Sequence, residues 1–269
     1  VTEAGFGADM GAEKFFDIKC RASGLKPDAA LLVATVRAIK AHSGRFEITA
    51  GKPLPDGLGK EDLEALADGV GNLEKQIENV KQFGVPVVVA INVFPTDTEN
   101  EIEFLREKAI AAGASAAHVS TMFAEGGKGG EDLAHALVAA CEEPSEFKLL
   151  YEDDASLKEK IEAIATKIYG ADGVDFEEEA DKQLAKFEEN GFGKLPICMA
   201  KTQYSLSHDP LLKGRPTGFR FKVRDARVAV GAGFVYPLAG SIMTMPGLGK
   251  TPAGMNMDID ENGDVVGML

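Results

Sequence analysis

A chain of 269 residues can bury a sizeable core, and its length suits one large domain or two of ordinary size, of which two are expected. Hydrophobic residues make up 45% and charged residues 27%, the balance of a loop-rich globular protein rather than a disordered one. A net charge of −14 argues against nucleic acid or an anionic membrane as the main partner, since either would need a surface that neutralises phosphates.

The N-terminal Val1, Thr2 and Glu3 lack the basic start and apolar stretch of a secretion signal, and no apolar run reaches the length of a membrane span. A cytoplasmic location is expected. Gly5, Gly7 and Gly11 miss the GxGxxG dinucleotide spacing by one residue, with no strand before them. Short apolar runs at Ala29–Val36, Val85–Val93 and Ala116–Thr121 read as strands buried on both faces. Between and after them, Lys60–Gln82, Asn100–Ala112 and Asp132–Cys141 carry helical spacing; the first has Leu63, Leu66, Val70, Leu73 and Ile77 on one face and is ended by Gly84 and Pro86. This alternation predicts parallel βαβ units.

The run Glu142–Phe147 interrupts the pattern with proline and acidic residues and predicts a boundary. Two acidic helices are predicted next, about Ser156–Tyr169 and Phe176–Asn190, then strands at Leu195–Ala200, Gly218–Val230 and Phe234–Leu238. From Ser145 to Asn190 there are 14 acidic and 6 basic residues; from Gly191 to Gly231 there are 8 basic residues against Asp209 and Asp225. That basic stretch either faces an anionic ligand or pairs with the acidic helices before it. Asn262-Gly263 between alternating residues predicts a closing hairpin.

Several motifs fail on inspection. Gly249, Lys250 and Thr251 end like a Walker A loop, but Thr244 stands where its first glycine belongs, so a structural turn is expected. Asp258, Asp260, Asn262 and Gly263 match the start of an EF-hand loop, yet Leu269 replaces the bidentate glutamate. Cys20, Cys141 and Cys198 show no CxxC spacing, and His42, His118, His135 and His208 no paired spacing, so neither a disulfide framework nor a metal site is expected.

Two loops each follow the carboxyl end of a predicted strand, where open α/β sheets bind ligands. In Asn92–Glu99, Phe94 and Pro95 offer an apolar face beside Thr96, Asp97 and Thr98, suited to orienting a flat heterocycle; alternatively Thr96 or Thr98 only caps the next helix. In Ser120–Gly130, Phe123 offers a stacking ring, and Gly126, Gly127, Gly129 and Gly130 offer backbone N–H groups to an anion; the alternative is a flexible surface loop.

The stretches EAGFGADMGAEKFFDIKCR (Glu3–Arg21), GNLEKQIENVKQFGVPVVVAINVFPTDTE (Gly71–Glu99), AEGGKGG (Ala124–Gly130), LPICMAKTQYSLSHDP (Leu195–Pro210), GAGFVYPLAG (Gly231–Gly240) and TMPGL (Thr244–Leu248) resemble formate–tetrahydrofolate ligases. The resemblance covers essentially the whole chain and corresponds to the C-terminal half of such an enzyme. It implies an α/β fold: a mostly parallel sheet with flanking helices on a P-loop-NTPase-like background whose phosphate loop is missing here, plus a smaller α+β C-terminal domain. Residues 1–145 would bind folate and substrate, and 146–269 would form the second domain.

The family makes 10-formyltetrahydrofolate from formate, ATP and tetrahydrofolate through formyl phosphate. By resemblance, Phe94 and Pro95 match its folate-stacking loop, and Phe123 stands where tryptophan is usual, which implies weaker stacking. Thr96 and Asp97 are implied to hydrogen-bond the pterin, and Gly126 and Gly127 to shape the pocket. Phe15, in the EKFF segment, lies near the nucleotide and substrate cleft in the family, or else is a helix core residue. ATP and Mg²⁺ would be held by an N-terminal P-loop half, so catalytic residues are expected there and the isolated chain is expected to be inactive. Without that half the chain is expected to expose apolar area and self-associate; a homo-oligomer is expected. Two other readings are a non-catalytic interaction module that complements a separately encoded N-terminal half, and an unrelated α/β nucleotide-binding enzyme, against which the broken glycine fingerprints count.

Overall fold

The computed structural model describes residues 1–49, 52–242, 252–263 and 265–267. Thr244, the TMPGL stretch, the Gly249-Lys250-Thr251 turn and Leu269 lie outside them. Helix comes first: α1 (Gly11–Lys14) widens into a π-helical turn (Phe15–Cys20) and continues as α2 (Arg21–Ser23), which Gly24 ends at φ 71°. Gly11 is required by proximity, since a Cβ there would sit 1.9 Å from the Gly5 carbonyl oxygen. Glu13, Phe16, Asp17 and Cys20 form the buried face.

Strand β1 (Ala30–Ala34) leads into α3 (Val36–Ala41), capped by Thr35, whose hydroxyl accepts from the Ala38 N–H. The helix predicted over Lys60–Gln82 is two helices, α4 (Leu63–Gly69) and α5 (Gly71–Gln82). They meet at Val70, which keeps helical dihedrals (φ −62°, ψ −25°), and just before it α4 approaches α3 so closely that a Cβ on Gly69 would lie 1.9 Å from the Ile39 carbonyl oxygen. Then come β2 (Val87–Asn92), α6 (Glu99–Ala111), β3 (Ala116–Ser120), α7 (Met122–Glu125), a 3₁₀ turn (Gly126–Gly130) and α8 (Glu131–Glu142).

The three strands form a parallel sheet of order β1-β2-β3, with Ala34 opposite Ile91 and Asn92 opposite Ser120, the arrangement that the βαβ pattern predicts. Only β2 is buried on both faces, where its stiff β-branched side chains each contribute roughly 1.5–3 kcal/mol by burial. On β1 that expectation fails: Leu31 is 41% and Val33 62% exposed. One helix, α8, packs Leu133 and Ala140 against Val88 and Ala90 of β2 and lies along β2 and β3, leaving this face of the edge strand open.

The following segment does not swing free. The Glu146 N–H donates to the Gly84 carbonyl, the Lys148 N–H to that of Phe83, and the Leu150 N–H to Asp17 Oδ1. Next are α9 (Leu157–Ala163), a second π-helical turn (Ile164–Ile168), β4 (Val174–Phe176) and α10 (Glu178–Glu189). A second sheet follows: β4 is parallel to β5 (Phe221–Ala229), which pairs antiparallel with β6 (Phe234–Ala239). The strand predicted at Leu195–Ala200 reduces to bridges from Ile197 to Val235 and Ala200 to Leu238. The closing hairpin forms from β7 (Asp258–Ile259) and β8 (Val265–Val266), with Gly263 at φ 88°.

One apolar core joins residues of both stretches, from Ala8, Phe16 and Ile77 to Tyr169, Phe221 and Val235. The basic stretch is used internally. Arg220 pairs with Asp175 just ahead of the second acidic helix, but Arg215 reaches back to Glu78 and Lys201 to Asp9. Arg227 pairs within the stretch, with Asp225, so two of these four ion pairs reach the first half and none reaches a residue within the two acidic helices. No helix among the described residues is long and apolar enough to cross a membrane.

Candidate functional site

The carboxyl edge of the first sheet gathers three loops, because parallel strands deliver their following segments to one side. From β2, Phe94 begins a tight turn: the Asp97 N–H donates to the Phe94 carbonyl at 2.9 Å, and the Phe94 N–H donates back to Asp97 Oδ2 at 2.9 Å. Burial raises the Asp97 carboxyl above its ordinary value, against the lowering effect of the Phe94 N–H and of Arg37. Phe94 and Asp97 are half-buried, whereas Pro95 and Thr96 stand exposed at the tip. Thr98, not Thr96, caps α6, in a capping box with Glu101.

A buried ion pair holds this turn from below. Lys40 and Glu101 are both withdrawn from solvent and in contact, and Lys40 Nζ also donates to the carbonyls of Leu58 and Lys60. Glu101 accepts further from the Asp62 and Thr98 N–H groups. Burial alone would raise the Glu101 carboxyl, but hydrogen bonds from Lys40 and the two backbone donors leave it below its ordinary value.

From β3 comes Phe123, on α7, with its side chain fully in solvent at 102% relative exposure. Behind it Gly126–Gly130 make a 3₁₀ turn rather than an open loop, and Thr121 fastens it by donating its N–H to the Gly129 carbonyl at 3.0 Å. Gly126 adopts φ 62°, and a Cβ on Gly129 would collide with Thr121, so those two positions demand glycine, whereas Gly127 has open space around it. Since Asn92 and Ser120 are direct neighbours across β2 and β3, Phe94 and Phe123 arise two and three residues past one register point.

A residue that sequence reading missed completes this edge. Arg37, in the first turn of α3 after β1, places its guanidinium carbon 3.5 Å from the centroid of the Phe94 ring. A separation that short leaves room only for a parallel stack. Phe15 sits elsewhere, on the N-terminal π turn, where it packs edge-on against Phe16 at 5.7 Å and at the margin of the core.

A second polar site was also not legible. A cavity of about 140 Å³ is lined by Gly7, Asp9, His42, Asn72, Gln76 and Gln203, with Ser205 and Leu206. Asp9 Oδ2 lies 2.7 Å from Lys201 Nζ, which also donates to the Thr202 and Ser205 carbonyls. Gln76 grips Asp9 twice, accepting its N–H and donating to its Oδ1. Burial lowers both His42 and Lys201 from their ordinary values. Asp9, Glu13 and Asp17 recur every fourth residue, and that spacing of carboxylates before and within a helix is the one signal that would have found it.

A family profile described as formate–tetrahydrofolate ligase matches residues 1–269. A formate–tetrahydrofolate ligase of Roseiflexus sp. (strain RS-1) is 59% identical over 268 residues, covering 100% of this chain and 48% of that protein. One from Desulforamulus reducens is 54% identical over 269 residues, covering 100% and 47%. A Schizosaccharomyces pombe protein named C-1-tetrahydrofolate synthase, cytoplasmic, is 54% identical over 269 residues, covering 100% and 29%. The chain thus spans about half the length of these two ligases.

Proposed function

Because this chain belongs to the formate–tetrahydrofolate ligase family, we propose that it supplies the folate pocket of an enzyme that joins formate to tetrahydrofolate at the expense of ATP. The supporting observation is the placement of Phe94 and Phe123 on neighbouring loops at the carboxyl edge of a parallel sheet. Between two aromatic faces a flat pterin gains stacking energy of roughly 0.5–1.5 kcal/mol per pair beyond the area it buries. Thr96 and the free edge of Asp97 orient its hydrogen-bonding rim, Pro95 borders it, and Gly126 and Gly127 keep the far wall low. Phe15 contributes at the cleft only through the position of the N-terminal helix.

In this reading ATP converts formate to formyl phosphate. The N10 amine then attacks the formyl carbon, the bond from that carbon to the phosphate oxygen breaks, phosphate leaves, and N10 gives up its proton. What this chain contributes is orientation, since a held near-attack geometry replaces an encounter in solution. Among the described residues there is no cluster of three or more His, Cys, Asp or Glu side chains able to hold a metal, and Mg²⁺ at a nucleotide site needs only one or two carboxylates beside the phosphates. On the family resemblance we assign Mg²⁺ and the nucleotide phosphates to an N-terminal P-loop half, and expect the chain alone to be inactive.

The open face of β1, with Leu31 and Val33 exposed, supports a partner segment or a second copy covering it. We keep a division at 145/146 as a functional one, with the folate loops ahead of it and the Lys201 segment of the polar cavity behind. The cytoplasm is the proposed location, carried from the name of the fission yeast relative.

Calorimetric titration of the chain with tetrahydrofolate, and separately with MgATP, tests the reading. Folate binding weakened by both Phe94→Ala and Phe123→Ala, with no tight MgATP binding, is the expected result. Folate binding that ignores both substitutions would remove these loops from the pocket.

A further inference from the structure

The eight arginines of this chain divide sharply. Seven donate to a carboxylate or a carbonyl, as Arg215 does to Glu78 and Arg224 to the Ile242 carbonyl. Arg37 has no hydrogen bond or ion pair among the described residues, although it is half-buried. Its one specific contact is the stack on Phe94 at 3.5 Å.

Stacking occupies the flat face of a guanidinium and none of its five N–H donors, which lie around the rim. Arg37 lowers the Asp97 carboxyl through space, yet no hydrogen bond or ion pair joins the two, and one Asp97 oxygen accepts the Phe94 N–H instead. A partly desolvated cation with its donors unspent is costly unless something else satisfies it. In a chain of net charge −14, leaving one arginine unpaired beside the ring proposed to hold the ligand is a feature that a ligand's charge would explain.

Position narrows what that ligand group is. Strand order β1-β2-β3 brings Arg37 to the Phe94 ring from one side and Phe123 from the other, so a heterocycle between the two aromatic rings leaves the Arg37 stack in place. What reaches the guanidinium rim is then an appendage of the bound molecule and not its ring.

We propose that Arg37 is the receptor for a carboxylate carried by the ligand on Phe94, which, resting on the folate reading above, is a carboxylate of the glutamate tail. The planar fork suits a carboxylate bidentately, a geometry that lysine does not reproduce. The same donors would also take a phosphoryl oxygen, and the test separates the two.

The experiment titrates the chain and its Arg37→Gln and Arg37→Lys variants with tetrahydrofolate and with tetrahydropteroate, which lacks the glutamate, with inorganic phosphate as a competitor. The parent chain is expected to prefer the glutamate-bearing compound by about tenfold or more. In Arg37→Gln that preference collapses to about twofold while tetrahydropteroate affinity is kept, and Arg37→Lys falls between. Equal weakening of both compounds would make Arg37 only a backing for the ring and overturn the inference, as would a parent chain with no preference. Arg37-dependent competition by phosphate without a glutamate preference would overturn it in favour of a phosphoryl group. Failure of every variant to bind either compound would instead remove the folate reading, and this inference with it.

Discussion

Lys201 Nζ and Asp9 Oδ2 lie 2.7 Å apart with both side chains buried, so the turn ahead of the first helix is fastened to the loop after the Ala200 bridge by an ion pair at the edge of the polar cavity. Removing one partner strands the other. Lys201→Met is expected to cost about 3–5 kcal/mol, and the double variant Asp9→Leu, Lys201→Met less than the sum of the single changes. Urea unfolding at neutral pH reads this directly; a single variant within about 1 kcal/mol of the parent would show that water reaches the pair.

Glu13 gives a pH dependence of defined sign. Its carboxylate oxygens are buried without a hydrogen-bond partner, and burial, opposed by Lys14 and reinforced by Asp17 and Asp9, pushes the carboxyl up from 4.5 to about 8. The folded chain therefore keeps a proton that the unfolded chain releases between those values, so stability falls as pH rises through that window. Asp17, raised mainly by burial to about 6, adds the same trend lower down. Unfolding midpoints from pH 5 to pH 8.5 should decline more steeply for the parent than for Glu13→Gln, and parallel curves would refute the assignment.

The chain contains no tryptophan, and Phe123 is fully exposed, which makes Phe123→Trp both a gain-of-binding variant and a single tryptophan that can be excited apart from the tyrosines. Larger stacking area should tighten folate severalfold, stability should stay within about 0.5 kcal/mol, and emission should quench on titration. Unchanged emission at saturating folate would place the ligand away from this ring.

The turn that carries Phe94 depends on the cap behind it. Thr98→Ala removes the hydroxyl that accepts the Glu101 N–H and donates to Glu61 Oε2, and about 1 kcal/mol of stability should go with it. Thermal melts give that loss. Folate affinity should drop with it, because Asp97 and Thr98 are adjacent and the Phe94 turn closes on Asp97; a melt shift with intact affinity would uncouple the two.

Local chemistry made the strands readable: β-branched runs bracketed by Gly84, Pro86 and the Pro95 turn can be little else. The Asn262-Gly263 hairpin was equally local. What stayed hidden depends on contacts between distant segments. The close approach of Gly69 to the Ile39 carbonyl is one such contact, and no feature of the helical pattern announces it. The exposure of Leu31 and Val33 follows from how far α8 extends over the sheet. The same holds at the site. The positions of Phe94 and Phe123 after their strands were legible, but the Arg37 stack and the Asp9–Lys201 pair join residues with no shared local pattern, and the single helix over Gly11–Ser23 conceals one residue more than its α-helical period admits.

That extra residue bears on how the chain compares with its relatives. A π-helical turn holds one residue more than the α-helical turn it replaces, so the stretch Phe15–Cys20 has the form of a single-codon insertion. Deleting a codon there, at Ile18 for example, would let the helix rewind to a plain α-helix with the residues on either side still in register. Cys20 would stay in the core, and Arg21 would keep the Tyr151 carbonyl that it now reaches at 2.8 Å. A one-residue gap at this point would be absorbed within one turn of helix, leaving the same side chains facing inward.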